Sequence, residues 1–301
     1  MELPRFPQFV SLDIAHREIF QQIFWEYQPT TSELTFTNLF IWQGHYGLSW
    51  SRLDDWLVLL STSAHGPAWF LLPVGPPGRR DVCRRLLRWL QEVKGVKAPS
   101  IDRADGRLAQ EVRGDPALKC EPMRDQFDYV YRASDLINLA GNKYHSKRNH
   151  INGLRRSYPF VYEALEERHL EACLQLADRW CEFRRCDEDL NLTGEWEAIR
   201  LALGHFRELS LTGGAVLVRD RVEAFSLGEL LNRSTAVIHI EKANPEVGGF
   251  YTLINQQFCE HAWSGVELIN REQDLGEAGL RRAKMSYHPE TLEEKFRITL
   301  A

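Results

Sequence analysis

The sequence has no apolar segment long enough to cross a bilayer. The longest apolar runs, such as Trp56–Leu60, are short, whereas a transmembrane helix needs about 20 apolar residues. The first residues, Met1–Pro7, lack the basic start and the apolar centre of a signal peptide. We therefore expect a cytoplasmic protein without an integral membrane segment, for which peripheral contact with lipid stays open.

Closely spaced cysteine pairs and a surplus of positive charge are also missing. The six cysteines show no Cys-x-x-Cys pair and no histidine at zinc-site spacing, so we expect no metal site. Because the cytoplasm keeps thiols reduced, we expect six free structural cysteines. The net charge of −5 argues against a protein that coats nucleic acid, although it allows a local basic patch.

What is present is enough for an ordinary hydrophobic core. Of 301 residues, 44% are hydrophobic and 26% are charged, which excludes a disordered chain. This length suits two domains of about 150 residues each. We predict an N-terminal domain over residues 1–133 and a C-terminal domain over residues 134–301. Residues 36–42 fit either a strand or a short buried helix.

A basic helix is predicted from about Asn142 to Ser157. Lys143 and Lys147 lie one turn apart, Arg148 follows, and the segment contains no acidic residue. One interpretation is a solvated basic face. The other is a docking surface for a phosphate-bearing substrate, such as a tRNA acceptor stem, coenzyme A or a phospholipid headgroup.

Polar and ionisable residues are concentrated near the ends of the predicted strands of the second half. Two strands, Val222–Leu230 and Thr235–Glu241, precede a helix over Gly249–Ala262 and a strand over Val266–Asn270. Strand ends are the usual place for a binding or active site in such proteins. We therefore expect the functional site in this region.

The order of elements resembles the GNAT acyltransferase fold, and several motifs are more specific. These motifs are residues 38–42, 143–152, 224–229, 240–244, 269–276 and 279–284. Together they resemble bacterial proteins similar to the C-terminal domain of phosphatidylglycerol lysyltransferases, which are related to the Fem aminoacyltransferases. The resemblance implies an α/β (α+β) chain of two tandem GNAT-like domains, with mixed, mostly antiparallel sheets flanked by helices. The sequence lacks the multi-span membrane domain of the lysyltransferases, which leaves the acceptor open.

The resemblance implies acyl or aminoacyl transfer by direct attack in a cleft between the halves, with aminoacyl-tRNA or acyl-CoA as donor. Glu229, Glu241 and Asp274 are the catalytic candidates, because this reaction needs a proton acceptor. Each has a structural alternative, which is an ion pair for the two glutamates and a turn or helix cap for Asp274. The substrate-binding candidates are Lys143, Tyr144, Lys147, Arg148, Lys242, Asn244, Asn270, Arg271, Glu272, Lys284 and Tyr287.

The choice of donor and the question of activity stay open at this point. In a GNAT protein that binds acyl-CoA, the helix after Asn244-Pro245 would direct its N-terminal amides at the pyrophosphate. Residues 245–250 contain glycines but not the usual Arg/Gln-rich loop, which does not favour CoA. The alternative function is a catalytically silent, GNAT-like protein that binds a ligand as a sensor. A purely structural module would explain the polar strand ends poorly.

Overall fold

The computed structural model describes residues 3–64 and 66–301. The chain forms two compact units. Unit 1 comprises residues 1–128, 273–277 and 292–301, and unit 2 comprises residues 129–272 and 278–291. The predicted division was contiguous, at residue 133. The structure differs from it because the last residues of the chain return to unit 1.

The elements alternate between short strands and helices along the whole chain. In the first part they are β1 Val10–Ser11, α1 Arg17–Tyr27, α2 Phe36–Ile41, α3 Gln43–Tyr46, β2 Leu48–Leu53, β3 Trp56–Ser61, β4 Trp69–Leu71, α4 Arg80–Glu92, β5 Ser100–Ala104, α5 Gly106–Val112, β6 Leu118–Pro122 and β7 Asp128–Arg132. They continue with α6 Ala133–Asn138, α7 His145–Ser157, β8 Val161–Ala164, α8 Glu167–Arg184, α9 Leu190–Gly204, β9 Thr212–Val218, β10 Arg221–Leu230, β11 Thr235–Ala243, α10 Phe250–Ala262, β12 Leu268–Asn270, α11 Ala278–Met285, β13 Thr291–Glu293 and β14 Phe296–Leu300. Short 3-10 helices lie at Ile14–His16, Arg124–Gln126, Asn142–Tyr144 and Cys186–Glu188.

The sheet of unit 1 has the strand order β1-β2-β3-β4-β5-β14-β6. Its neighbours pair antiparallel except for the parallel pair β4–β5. The segment that fitted either a strand or a helix is helix α2. Thr35 caps it by accepting a hydrogen bond of 3.0 Å from the backbone N–H of Asn38. Every residue of α2 is buried, so the segment shows no amphipathic period.

The sheet of unit 2 has the strand order β13-β7-β12-β11-β10-β9-β8, and β11 and β12 are parallel. The register of β10 on β11 shifts between Leu227 and Gly228. A Cβ atom at Gly228 would lie 2.4 Å from the carbonyl oxygen of Val237, so this bulge requires glycine. The shift occurs one residue before Glu229, a predicted site residue.

Helices α8 and α10 pack on the sheet of unit 2, and α7 packs on α10. The predicted helix near residues 249–262 is confirmed as α10. The sequence pattern predicts a helix from about Trp196 to Leu209 after a polar turn at residues 191–194, whereas α9 already begins at Leu190 and includes that segment. Asp189 caps α9 by accepting a hydrogen bond of 2.8 Å from the N–H of Asn191.

Cys181 and Cys186 form a disulfide, with their Cα atoms 5.1 Å apart. The prediction of six free cysteines is therefore wrong for this pair, while the other four cysteines are free. Arg185 explains the pairing, since its left-handed backbone (φ 54°) ends α8 and turns Cys186 back toward Cys181.

None of the helices in residues 3–64 and 66–301 combines the length and the apolar character that a bilayer crossing requires.

Candidate functional site

An ion pair between Glu241 and Arg271 lies at the centre of the candidate site in unit 2. Nη2 of Arg271 is 2.9 Å from Oε1 of Glu241. The second carboxylate oxygen of Glu241 accepts a hydrogen bond of 3.2 Å from the side-chain amide of Asn255. Both side chains are largely buried, with 12% and 13% of their surfaces exposed. Glu241 is thus engaged through both of its oxygens.

Aromatic rings enclose the guanidinium of Arg271. Its central carbon lies 4.8 Å from the ring centre of Tyr287 and 5.8 Å from that of Tyr131. Burial opposes the charge, but the Glu241 carboxylate and the two phenols outweigh it and raise the pKa of Arg271. Burial likewise raises the pKa of Tyr287 to about 12. At neutral pH the site therefore holds a permanent cation and a neutral phenol.

Lys147, in the first turn of α7, adds a second cation. Its Nζ lies 3.9 Å from the ring centre of Tyr287. Burial disfavours the ammonium form and Arg271 repels it, so the pKa of Lys147 falls to about 8 despite the attraction of Glu241. We call these five residues, Glu241, Asn255, Arg271, Tyr287 and Lys147, the Glu241–Arg271 cluster.

Two buried polar atoms of the cluster have no hydrogen-bond partner among the described residues. They are Nη1 of Arg271, a donor, and Oδ1 of Asn255, an acceptor. An unsatisfied buried polar atom typically costs about 1–3 kcal/mol, and such atoms are rare in native structures. The cluster can therefore offer one donor and one acceptor to a ligand.

Local sequence patterns place these side chains together. Successive residues of a strand point to opposite faces, so His239 and Glu241 of β11 share one face while Lys242 lies on the other. On α10, Thr252, Asn255 and Cys259 are spaced by three and four residues and form one stripe. The stripe faces the cluster, since Asn255 bonds Glu241 and Thr252 bonds the hydroxyl of Tyr287.

Three side chains hold backbone carbonyls near the cluster, and two of them, Tyr144 and Lys284, were predicted to bind substrate. Tyr144 donates a hydrogen bond of 2.9 Å to the carbonyl of Tyr287, and Lys284 donates one of 2.5 Å to the carbonyl of Arg271. Tyr131 donates one of 2.8 Å to the carbonyl of Lys284. These contacts fix the positions of Arg271 and Tyr287.

A histidine between two carboxylates lies on the same face of β11 as Glu241. Nε2 of His239 is 3.0 Å from Glu229, and Nδ1 is 2.8 Å from Glu272. Burial opposes a charged imidazole, but the two hydrogen-bonded carboxylates outweigh it and raise the pKa of His239 to about 9. Glu229, a predicted catalytic residue, is thus a partner of His239.

The raised pKa of His239 predicts a dependence of stability on pH. Its ordinary value in the unfolded chain is about 6.5. The stabilisation from His239 should be complete below that pH and should be lost as the pH rises through about 9. In urea unfolding, a His239→Gln variant should be less stable than the natural protein at pH 6, and the difference should narrow by pH 9. A stability difference between the two proteins that does not change with pH would contradict a charged His239 held between Glu229 and Glu272.

The predicted binding residues Lys242 and Asn244 lie at the end of β11, outside the cluster. The buried ammonium of Lys242 is 2.8 Å from Glu195 and 3.2 Å from the ring centre of Trp180, on the opposite face of the sheet. The amide of Asn244 donates a hydrogen bond of 2.7 Å to Glu223. These contacts fix the position of the end of β11.

The two remaining basic candidates connect α7 to the segment before it. Lys143 forms an exposed ion pair with Asp135, with its Nζ 3.1 Å from Oδ2. Arg148 donates hydrogen bonds to the carbonyls of Leu139 and Gly141, the latter at 2.7 Å. These contacts position α7.

The last predicted residues, from the end of β12 onward, make turns. Oδ1 of Asn270 accepts a hydrogen bond of 2.8 Å from the N–H of Glu272. Asp274 belongs to unit 1, where its carboxylate is 3.3 Å from Arg124 and accepts a hydrogen bond of 2.9 Å from the N–H of Gly276. Asp274 therefore makes the turn that was its structural alternative, and it also forms an ion pair with Arg124.

The sequence reading missed Asn255 and Thr252. Their signal was the polar stripe on a helix whose residues are mostly buried. A group of three or more histidine, cysteine, aspartate or glutamate side chains suited to a metal ion does not occur in the described ranges.

Helix α7 packs closely against the N-terminus of α10. Gly249, the N-cap residue, has φ 102°. A Cβ atom there would lie 2.9 Å from Cδ1 of Leu154 and 3.5 Å from the carbonyl oxygen of His150. A ligand phosphate at this helix end would therefore compete with α7 for space.

Solved structures with the same fold come from several bacteria. A conserved protein of unknown function from Bacteroides thetaiotaomicron is 31% identical, with full coverage of both chains and a TM-score of 0.88. The C-terminal domain of a putative lysylphosphatidylglycerol synthetase from Agrobacterium fabrum is 12% identical, with 95% and 92% coverage and a TM-score of 0.65. L-PGS from Bacillus licheniformis is 13% identical, with 99% and 94% coverage and the same TM-score of 0.65.

Two further comparisons bear on fold and family. FemX has a TM-score of 0.54 at 10% identity, over 96% of each chain. Among curated proteins, an uncharacterised protein of Mycoplasmoides gallisepticum is 22% identical over 175 residues, and the match spans about half of its length, 55%. The predicted α+β fold, with two mostly antiparallel sheets flanked by helices, is confirmed. A tandem GNAT protein from the clavulanic acid biosynthesis pathway is among the similar solved structures.

The family model described as phosphatidylglycerol lysyltransferase, C-terminal, matches residues 24–299, nearly the whole chain. This protein therefore belongs to the phosphatidylglycerol lysyltransferase C-terminal family.

Proposed function

We propose that this protein is an aminoacyltransferase whose reaction takes place at the Glu241–Arg271 cluster. The donor is an aminoacyl ester of tRNA, and the acceptor is an amine or a hydroxyl group. Membership of the lysyltransferase family and the fold shared with L-PGS and FemX support transfer of an acyl or aminoacyl group. The observation that supports the location best is the unpartnered Nη1 of Arg271.

Arg271 has the properties of a group that stabilises an oxyanion. Attack on an ester carbonyl moves negative charge onto the carbonyl oxygen, and a fixed donor in a desolvated site stabilises that charge. Nη2 of Arg271 is held by Glu241, while Nη1 stays available to the ester. Glu241 orients the guanidinium in this scheme. We assign Glu241 this orienting role and not proton transfer, since its carboxylate is already hydrogen-bonded to Arg271 and Asn255.

The transfer needs no covalent enzyme intermediate. The acceptor's lone pair forms a bond to the ester carbonyl carbon, and the carbonyl electrons move onto the oxygen beside Arg271. When the carbonyl re-forms, the bond to the ribose oxygen breaks, and that oxygen leaves with the electron pair. The unpartnered Oδ1 of Asn255 is an acceptor for the donor's α-ammonium group.

Helix α7 favours tRNA over coenzyme A as the carrier of the donor. Its solvent-facing side exposes basic residues without an acidic one, namely His145, His150, Arg155 and Arg156, with Lys143 just before it. Basic side chains of this kind contact nucleic-acid phosphates. By contrast, Leu154 of α7 packs against Gly249 at the N-terminus of α10, where a diphosphate would bind in a CoA enzyme, and it narrows the space there.

The test is a transfer assay with the purified chain and tRNAs charged with isotopically labelled lysine or alanine. Phosphatidylglycerol vesicles and a soluble amine are offered as acceptors in separate reactions. We expect the label to leave one of the charged tRNAs in an enzyme-dependent way, and to appear in the lipid or in the amide product. Labelled acetyl-CoA serves as the competing donor.

Each outcome decides between named functions. Label transferred from charged tRNA supports the proposal. Transfer from acetyl-CoA with none from charged tRNA would replace it with an acetyltransferase. Binding of charged tRNA, measured by a shift in the thermal midpoint, without release of label from either donor would replace it with a ligand-binding sensor.

A further inference from the structure

In the proposed reaction the acceptor must lose a proton, and the predicted carboxylate bases are all engaged. Glu241 binds Arg271 and Asn255, and Glu229 binds His239. Asp274 binds Arg124 in unit 1. Each of these carboxylates is thus already committed to a hydrogen-bonded partner. The proton acceptor must therefore be sought elsewhere in the cluster.

Lys147 differs from these groups because its Nζ has no hydrogen-bond or ion-pair partner in residues 3–64 and 66–301. It lies over the face of Tyr287, 3.9 Å from the ring centre. The side chain is only partly exposed, so it is shielded from water and still reachable by a substrate. Its place in the first turn of α7 also disfavours a positive charge, because the helix dipole is positive at that end.

We infer that Lys147, in its neutral form, is the general base that takes the proton from the acceptor. This inference rests on the proposed function. The Nζ lone pair accepts the proton as the acceptor's oxygen or nitrogen bonds to the ester carbon. The resulting ammonium then returns the proton to the ribose oxygen as the ester bond breaks. Lys147 is neutral again at the end of the cycle, and no other reactant is consumed.

The groups around Lys147 are consistent with this role. Burial and the charge of Arg271 lower its pKa to about 8, against the weaker attraction of Glu241, which leaves a useful fraction neutral near pH 7.5. The other side chains at the cluster are the phenol of Tyr287, the thiol of Cys259, and the uncharged Thr252 and Asn255.

Lys143 provides an internal control one helical turn away. It pairs with Asp135, and that hydrogen bond raises its pKa. Both lysines lie on the same segment, and they differ in whether the ammonium form is favoured. A method that reports on each lysine separately can therefore test the inference without any substrate.

The first experiment is competitive labelling of the lysines with trace isotopic acetic anhydride at a series of pH values, read by peptide mass spectrometry. We expect the reactivity of Lys147 to rise with a midpoint near pH 8, and that of Lys143 to rise only at a higher pH. Midpoints above about pH 10 for both lysines would overturn the inference and leave the proposed function intact.

The second experiment uses the transfer assay. Lys147→Arg keeps the charge but cannot act as a base near neutral pH, so the turnover number should fall by about 10²–10⁴. The turnover number of Lys147→Ala should fall by a similar factor and recover partly when methylamine is added. The control is Lys119→Arg, at an exposed lysine on β6 of unit 1, whose turnover number should stay within about twofold of the natural value.

The two experiments together separate the possible failures. A Lys147→Arg variant with nearly normal turnover would show that the residue contributes only charge, and would overturn the inference. If the natural protein transfers no label from any charged tRNA, the proposed function fails, and the assignment of a base to that reaction fails with it.

Discussion

A Lys295→Met variant is expected to be less stable than the natural protein by about 3–5 kcal/mol at neutral pH. Lys295 is fully buried in unit 1, where its Nζ is 2.6 Å from Asp128 and 2.7 Å from Glu33. Methionine fills a similar volume but leaves two neighbouring carboxylates without their common cation. One of them must then take up a proton or be exposed to water when the protein folds.

The environment of the two carboxylates explains the size of this effect. Asp128 also accepts hydrogen bonds from the N–H and the hydroxyl of Ser32, at 2.8 and 3.0 Å, so it cannot move away. Burial raises the pKa of Glu33 even with Lys295 present. The loss of stability should therefore shrink as the pH falls toward about 4, where carboxyl groups of the unfolded chain also take up protons.

Urea unfolding at pH 7 and at about pH 4 measures both parts of the prediction. The matched control is Lys119→Met, since Lys119 lies exposed on β6 of the same sheet. It should change the free energy of unfolding by no more than about 0.5 kcal/mol. Similar losses for the two variants would contradict the buried ion cluster as the cause.

Local sequence signals predicted most of the elements but not this cluster. The period of α10 and the alternation around β10 and β11 are visible within short windows, and the structure confirms these elements. Lys295 and Glu33 are 262 residues apart in sequence, so no window contains both. Long-range pairing of this kind depends on the topology, in which β14 returns to the sheet of unit 1.

The candidate site shows the same division between local and long-range information. Sequence patterns pointed to Glu241, Arg271, Lys147 and Tyr287, which the structure brings together. They offered Lys242 as a binding residue, although it directly follows Glu241 in β11 and therefore lies on the opposite face, where its partner Glu195 is distant in sequence. They indicated an ion pair as the alternative for Glu229, and its partner in the structure is the imidazole of His239.

The cluster that these residues form makes Arg271 the most informative position for activity. Lysine at this position would keep one positive charge beside Glu241. A lysine ammonium lacks the planar fork of arginine, so it cannot hold Glu241 in this geometry and donate a second, fixed N–H to an ester oxygen. Removal of one oxyanion donor typically lowers the turnover number by about 10²–10³. We expect Arg271→Lys to lose transfer activity by that factor.

Steady-state kinetics of transfer from charged tRNA measure this loss. The turnover number should fall while KM changes little, because the contact with Nη1 strengthens only as charge develops on the ester oxygen. Arg132→Lys is the matched control in unit 2, since Arg132 forms an exposed ion pair with Glu290 at 2.6 Å. It should stay within about twofold of the natural rate. An Arg271→Lys protein with nearly normal turnover would mean that Glu241 and Arg271 serve folding alone, and that the transfer reaction takes place elsewhere in the chain.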